Sequence, residues 1–353
     1  MGQTNNTARA YNQVHRPRKY SHGARRFSVY WTWSYPWEAN RDTTELDNRF
    51  STMTEVRRVA WPNYESVAFS EKMFLQGIAG TLELFHLSLV KFQNVVEEAS
   101  GHSVAVYQRI DQAGQRLPLD ERVLADTDTL MVFGLDHMIT EQEASPEEIE
   151  AVRQFLTRDG TCLILGPHHD VGTSADLKVR ALEYAHHRDP LVPRQQRFGK
   201  YTRSLMKGLG VPVENRWGLR PAVVEGTGQI APLVRSMDLD RRGWLKDVDT
   251  FNFHPHLPHY AVTTDDPKAI HVLARQPVEL STPHPFTQEG NREFNMFLWM
   301  PPAGNRAGDI LLADSTIFTT LFGGTDSLQR FWKNLATCQE RPASVKSRSA
   351  QEK

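Results

Sequence analysis

Histidines grouped near a carboxylate are the residues of this chain best suited to chemistry. Three groups stand out among the 14 histidines: His168-His169-Asp170, His186-His187, and the segment HPHLPHY, which contains His254, His256 and His259. Imidazole is the commonest metal ligand and the usual acid–base group near neutral pH. Two histidines and a carboxylate at one place can hold Zn²⁺ or Fe²⁺ with open coordination positions. The candidate catalytic residues are therefore His168, His169 and Asp170, and the candidate metal ligands are His254, His256 and His259.

The segment HPHLPHY also has a plainer interpretation. Histidines spaced by prolines can line a loop and hydrogen-bond to backbone carbonyls, and no H-E-x-x-H helix or zinc-ribbon spacing accompanies them. In favour of a metal site, a His-x-His spacing on an extended segment would place both rings on one side. The spacing leaves both alternatives open.

Other loops contribute further candidates for catalysis and substrate binding. The aromatic segment FSVYWTWSY leads into a loop in which Glu38 is a candidate general base. The loop RDPLVPRQQR carries three arginines that can clamp an anion. Packed aromatic rings, a structural turn after the strand and a solvated arginine surface are the alternatives. The candidate substrate-binding residues are Trp37, Arg41, Asp136, His137 and Arg194.

The elements that would position these residues are clearest between Thr127 and Asp170. An apolar strand (TDTLMVFGLDH) precedes a helix (SPEEIEAVRQFLTRDG) and a second apolar strand (TCLILG). Ser145 is a natural N-cap, and Glu148 completes a capping box. A helical crossover between two buried strands is the βαβ unit of a parallel sheet. Because such sheets bind ligands outside the carboxyl ends of their strands, we expect a site at His168.

The rest of the chain extends this unit to an α/β domain with a mostly parallel sheet sandwiched by helices, of flavodoxin-like or amidotransferase-like build. Apolar steps of three and four predict a long helix from Phe74 to Gly101, with a second apolar face that includes Leu87 and Val90. Further strands are predicted in HSVAVYQRI, IHVLARQPVEL, EFNMFLWM and GDILLADSTIF. Further helices are predicted in YTRSLMKGLG and SLQRFWKNLAT.

Composition sets the domain limits that we expect. Residues 1–26 are basic, carry no acidic residue and lack apolar periodicity, which predicts a disordered tail. Residues 27–338 are expected to form one domain, with an irregular insertion rich in histidine and arginine around 168–200. Residues 339–353 are expected to form a second disordered tail.

Charge and cysteine content restrict the partners and the compartment. The formal net charge is −1, so the whole molecule has no electrostatic reason to bind nucleic acid. No apolar run approaches the roughly 20 residues that span a bilayer, and no secretory signal is seen. The two cysteines, Cys162 and Cys338, are far apart in the sequence. They indicate a reducing compartment, and we expect a cytoplasmic protein.

Three of these segments together resemble a known superfamily. The pattern S-P-E-E-x-x-A-x-x-x-F-L-x-x-x-G between two strands resembles the central βαβ unit of the class I glutamine amidotransferase-like fold. The segment GDILLADSTIF at 308–318 resembles the closing strand of its non-amidotransferase relatives, and a helix ending in glycine before V-P-V fits the same order. The resemblance covers roughly residues 100–337. It implies the fold of that superfamily.

One departure from the superfamily bears on activity. The resemblance implies a catalytic cysteine on the turn after TCLILG, but the turn here reads Gly166-Pro167-His168-His169-Asp170. Cys162 lies four residues earlier, inside the strand, where its side chain would pack. A Cys-dependent glutamine amidotransferase is therefore disfavoured.

Two functional hypotheses follow. The first is a hydrolase that acts on a small polar substrate at the carboxyl end of the sheet, with Zn²⁺ or Fe²⁺ as the candidate cofactor. The second is a non-catalytic ligand-binding or assembly subunit with a degenerate amidotransferase-like fold, acting as a homo-oligomer or beside a partner subunit. The distances between side chains distinguish the two hypotheses. If the imidazoles of His168 and His169 lie more than about 10 Å from every other histidine group and from Glu38, a composite metal site is excluded.

Overall fold

An eight-stranded sheet runs through the part of the chain that the computed structural model describes, which is residues 25–32, 87–110, 116–136, 142–188, 197–251, 256–320 and 326–337. The strands in chain order are β1 Phe27–Trp31, β2 Ala105–Gln108, β3 Thr129–Gly134, β4 Cys162–Pro167, β5 Val213–Leu219, β6 Val234–Arg235, β7 Leu257–Val262, β8 His271–Pro277, β9 Glu293–Met300 and β10 Asp309–Ala313. Of the predicted tails, residues 1–24 and 339–353 lie outside the described residues, as does the loop after β1. Arg25 and Arg26, which were expected in the N-terminal tail, instead belong to the domain, because both donate hydrogen bonds to Asp128.

The order of the strands confirms the α/β class. The sheet runs β2-β1-β3-β4-β10-β9-β8-β6, and its first five strands are parallel. The strands β9, β8 and β6 continue it in antiparallel pairs. Strands β5 and β7 form a separate antiparallel pair. The parallel part is doubly wound, because the strand order reverses between β1 and β3.

Helices flank this sheet. They are α1 at residues 87–100, α2 Glu121–Leu124, α3 Pro146–Thr157, α4 Leu177–His187, α5 Lys200–Gly208, α6 Pro285–Gln288 and α7 Asp326–Thr337, with a 3₁₀ turn at Ser315–Phe318. Helix α4 lies within the segment for which irregular chain was expected. None of the described helices combines the length and the apolar composition that crossing a membrane requires.

The predicted N-cap and capping box of α3 are confirmed. The Ser145 hydroxyl accepts a hydrogen bond from the Glu148 backbone N–H at 3.3 Å, and the Glu148 carboxylate accepts one from the Ser145 N–H at 3.0 Å. For α1, the expectation of two buried faces is wrong. Leu87 and Val90 are 58% and 39% exposed, whereas the face of Leu89, Phe92 and Val96 is buried in the core, where the Phe92 ring packs on Phe318 and Trp332.

Two apolar cores cover the two faces of the sheet. Alternate residues of β4 illustrate this, since Ile164 belongs to one core and Leu163 to the other, as the two-residue period of a strand requires. Helices α1 and α7 pack in the first core, and α3 and α5 pack in the second. Cys162 is buried in the first core, so its thiol packs within the strand as the sequence predicted.

A buried ion pair joins the second core to the strand ends. The Arg109 guanidinium, just after β2, donates to the Glu148 carboxylate at 2.5 and 3.1 Å, and both side chains are at most 2% exposed. The same carboxylate accepts from the Leu119 N–H at 2.9 Å and from the Tyr201 hydroxyl at 3.2 Å. Glu148 therefore links β2, α3 and α5 in addition to capping α3.

Candidate metal centre

Three imidazoles from three different elements meet near the carboxyl end of β4. His169 follows β4 by two residues, His187 is the last residue of α4, and His256 comes directly before β7. One ligand nitrogen of each lies within 4.8 Å of the other two. The ring centroids of His187 and His256 are 3.7 Å apart, and each of the three residues is 1% exposed. These residues are called the histidine triad below.

The spacing within the histidine triad suits a tetrahedral ion. Zinc binds imidazole nitrogen at about 2.0–2.1 Å, so two ligands of one tetrahedral ion lie about 3.3 Å apart. The Nε2 atoms of His169 and His187 are 3.2 Å apart. The longest separation in the triad needs to close by about 1.5 Å, which rotation of the rings about χ1 and χ2 can supply. Without an ion, the 3.2 Å contact also fits a hydrogen bond between the two rings.

The ligand set selects among metals. Imidazole suits zinc, copper, nickel and iron, but the common iron(II) site of this size contains a carboxylate. The carboxylate next to His169 in the sequence, Asp170, has other partners: its Oδ1 accepts from Arg203 Nη2 at 2.7 Å and from the Phe198 N–H at 3.3 Å. Arg197 Nε lies 3.7 Å from its Oδ2. An all-imidazole set therefore favours zinc over a carboxylate-dependent iron site.

Strand β5 fixes the turn that carries His169. Its pairing with β7 shifts register between Arg216 and Gly218, and Trp217 in the bulge has a φ of 35°. This irregularity brings the backbone of Gly218 against His169, where an added Cβ would lie 2.5 Å from the ring Cδ2. Asn215 Nδ2 donates to the His168 carbonyl at 2.5 Å. Strand β5 thus holds the carbonyl of the His168–His169 peptide bond through Asn215 and the ring of His169 through Gly218.

His168 lies beside the histidine triad and has a partner outside it. Its Nδ1 is 3.2 Å from Asp314 Oδ1, just after β10, and its ring centroid is 4.0 Å from that of His169. The second Asp314 oxygen accepts from the Thr316 hydroxyl at 2.5 Å. The adjacent histidines therefore point to different partners, one toward β10 and one toward α4.

His259 faces away from His256. Successive side chains of a strand alternate, so residues three apart lie on opposite faces. The His259 ring stacks near Trp217, packs 4.9 Å from Phe286 and accepts from the Asn295 N–H through Nδ1 at 3.2 Å. Burial lowers the pKa of His259 to about 4. Its contacts are those of a packed histidine.

Asp136 holds the start of α5 at the same edge of the sheet. One carboxylate oxygen accepts from the Thr32 hydroxyl at 2.5 Å, and the other accepts from the Tyr201 N–H at 2.9 Å. Burial raises the pKa of Asp136 to about 6, against the lowering effect of these two donors. Asp136 thereby connects the ends of β1 and β3 with the first turn of α5.

The predicted site residues have three outcomes: some meet in the histidine triad, some have other partners, and some lie outside the described residues. The structure brings His169 and His256 together, and it gives His168, Asp170, Asp136 and His259 the separate partners described above. The candidates outside the described residues are Glu38, Trp37, Arg41, His137, Arg194 and His254. The third member of the triad, His187, was noted in a histidine pair but given no role. Its signal was the helical pattern after Asp176, which places it at a helix terminus.

Comparisons with known proteins give a loose likeness. No protein-family model matches the chain, and no curated protein matches it. Among solved structures, the fold is similar to that of a ThuA-like protein from Bacteroides uniformis, with a TM-score of 0.37 and 11% identity, covering 91% of this chain and 93% of that chain. No family is assigned. The likeness to the amidotransferase-like superfamily is therefore only a loose resemblance.

Proposed function

We propose that the protein is a zinc-dependent hydrolase that acts on a small polar substrate, with the ion held by His169, His187 and His256. The observation that carries the proposal is the convergence of one nitrogen from each ring within 4.8 Å. Three protein ligands with a fourth position for water are the arrangement of catalytic zinc sites. When bound, such an ion lowers the pKa of a coordinated water toward neutrality and so supplies a nucleophile.

The position of the histidine triad in the fold supports the proposal. His169 follows the carboxyl end of a central parallel strand, which is the edge where α/β sheets bind ligands. The chain holds this ligand rigidly, because Gly218 abuts its ring and Asn215 binds the preceding carbonyl. Support of this kind orients metal ligands and raises metal affinity.

The burial of the triad favours a second candidate function. Each of the three histidines is only 1% exposed, and structural zinc sites are closed to solvent. In that case the protein would be a non-catalytic ligand-binding or assembly subunit, with zinc stabilising the junction of β4, α4 and β7. The two candidates differ in whether a coordination position is open to a small ligand.

Cobalt substitution distinguishes these candidates. The chain is stripped with a chelator, reloaded with Co²⁺ and titrated with azide, while hydrolysis of 4-nitrophenyl acetate is followed with zinc-loaded and stripped protein. We expect azide to change the visible absorption of the cobalt and zinc to restore hydrolysis, with both effects lost in His187→Ala. Bound cobalt that ignores azide, without zinc-dependent hydrolysis, would favour the structural site. Failure to bind either metal would overturn both candidates.

A further inference from the structure

An open groove of about 710 Å³ is lined by residues close in the sequence to members of the histidine triad, while the three histidines themselves are buried and are not part of its lining. Its lining includes Asp170, Glu183, Arg197, Arg203, Lys207 and Trp217, and it is called the Trp217 groove below. Three of its lining positions adjoin the triad: Asp170 follows His169, Glu183 lies one helical turn before His187, and Trp217 precedes the glycine that touches His169. Its volume is in the range of small-molecule sites.

Positive charge lines one side of the Trp217 groove. Arg197 and Arg203 both approach the Asp170 carboxylate, so two guanidinium groups share one carboxylate. Lys207 lies one helical turn beyond Arg203, and within the described ranges its ammonium has no carboxylate partner. The side chain of Arg197 is 46% exposed and reaches Asp170 only through Nε at 3.7 Å. Donors of Arg197 and Lys207 therefore remain available to an anion in the groove.

The other charges of the groove are already balanced. Arg216 and Glu214 pair with each other at 2.6 Å on the outer surface of β5. Arg203 is tied by bonds to the Phe198 and Asn215 carbonyls as well as to Asp170. With Glu183 also in the lining, the ionised groups sum to a single net positive charge. That charge fits one monoanion better than a phosphate dianion, which would also be repelled by the carboxylates of Asp170 and Glu183.

Apolar side chains form a large part of the remaining lining of the Trp217 groove, beside Thr173, Ser174 and Asn215. Val179 of α4, Met206 of α5 and Val213 of β5 contribute to its lining together with Val211 and Pro285. Buried apolar area contributes roughly 25 cal/mol per Å², so such a lining favours a ligand with a hydrocarbon body. The lining thus combines an apolar surface with a cationic edge.

We propose that the Trp217 groove binds the substrate through its polar end, as a small carboxylate anion whose carboxylate pairs with Arg197 and Lys207 and whose hydrocarbon part packs on the apolar lining. A guanidinium recognises a carboxylate through paired N–H donors, and an ammonium adds a point charge. The assignment rests on the proposed hydrolase for the identity of the substrate, because the groove would hold the molecule whose bond reacts at the histidine triad. Binding of the carboxylate itself needs only the groove residues.

Isothermal titration calorimetry with 4-phenylbutyrate tests the assignment on the full chain, both metal-stripped and zinc-loaded. The neutral 4-phenylbutanamide is the matched ligand. We expect the carboxylate to bind at least fivefold more tightly than the amide, with this preference falling at high salt. Arg197→Gln and Lys207→Gln should each weaken carboxylate binding at least fivefold. Lys246→Gln, which removes an exposed charge outside the groove lining, should leave it unchanged.

Each result bears on one proposal. Equal binding of the carboxylate and the amide, or wild-type affinity in both groove variants, would overturn the carboxylate assignment. Carboxylate binding by stripped protein that never binds zinc would retain the groove assignment and remove the hydrolase. Circular dichroism checks that the variants are folded, and both substituted side chains are exposed, so folding should be preserved.

Discussion

The backbone of Gly218 lies directly against the imidazole of His169. A Cβ atom at position 218 would come within 2.5 Å of the ring Cδ2 and 3.1 Å of Nε2, the atom that faces His187. These distances leave no room for any side chain. The glycine is needed for close approach, and it couples the bulge in β5 to the orientation of a proposed metal ligand.

Gly218→Ala should therefore weaken zinc binding about tenfold or more, which is the usual cost of disturbing a group that orients a ligand. Competition with a chromogenic chelator measures the affinity. Gly134→Ala is the matched control, because its Cβ would meet Thr202 Oγ1 at 2.5 Å without touching the histidine triad. Equal losses of zinc affinity in the two variants would indicate general destabilisation and contradict the positioning role of Gly218.

Asp170→Asn should leave zinc binding within about threefold of wild type, although Asp170 is adjacent to His169. Its carboxylate is occupied by Arg203 and by the Phe198 N–H, and it is not part of the histidine triad. The cost should appear in stability, since the variant breaks a mostly buried ion pair. Zinc titration and urea unfolding separate these effects. A loss of zinc as complete as in His169→Ala would show that Asp170 is itself a ligand.

Glu148→Gln should lower the free energy of unfolding by about 3–5 kcal/mol, because it leaves Arg109 buried without its counter-charge. Six donors converge on this carboxylate, two from Arg109 and one each from Arg116, Leu119, Ser145 and Tyr201, so a neutral amide cannot satisfy them all. Urea denaturation provides the measurement. Glu150→Gln on the exposed side of the same helix should change stability by less than about 0.5 kcal/mol. Similar losses in both variants would contradict the importance of the buried pair.

Asp136 should make the protein less stable as the pH rises from about 4 to about 6. Its pKa is raised from 3.8 to about 6 in the folded state, so in this window the folded chain binds more protons than the unfolded chain. The free energy of unfolding then falls with rising pH, by about 3 kcal/mol in all for this group. Relative to Asp136→Asn, the wild type should lose most of this amount between pH 4 and pH 7. Parallel pH profiles of the two proteins would exclude the effect.

Much of the fold could be predicted from the sequence because its signals are local. Ser145, Pro146 and Glu148 identify the start of α3 through contacts within one turn. The strands β3, β4 and β10 are continuous apolar runs, as strands buried on both faces must be. The antiparallel part of the sheet was harder to predict. The sequences of β8 and β9 indicate strands, but they do not indicate which strands pair with them.

The histidine triad could be predicted only in part. The βαβ pattern placed His169 at the end of a strand, and His256 was a candidate ligand because it lies in a group of three histidines, HPHLPHY. Their meeting with His187 depends on how α4 and β7 pack against the turn after β4, and no local pattern encodes this. The separate partners of Asp170 and His259 have the same origin, since Arg203 and Asn295 lie on other elements.

Zinc stoichiometry by mass spectrometry of the purified chain tests the central claim most directly. We expect about one zinc per chain after reconstitution and dialysis, and none in His169→Ala, His187→Ala or His256→Ala. His259→Ala, which removes a neighbouring histidine outside the triad, should retain the metal. A wild-type chain that binds no zinc, or a loss in His259→Ala equal to that in the triad variants, would contradict the claim.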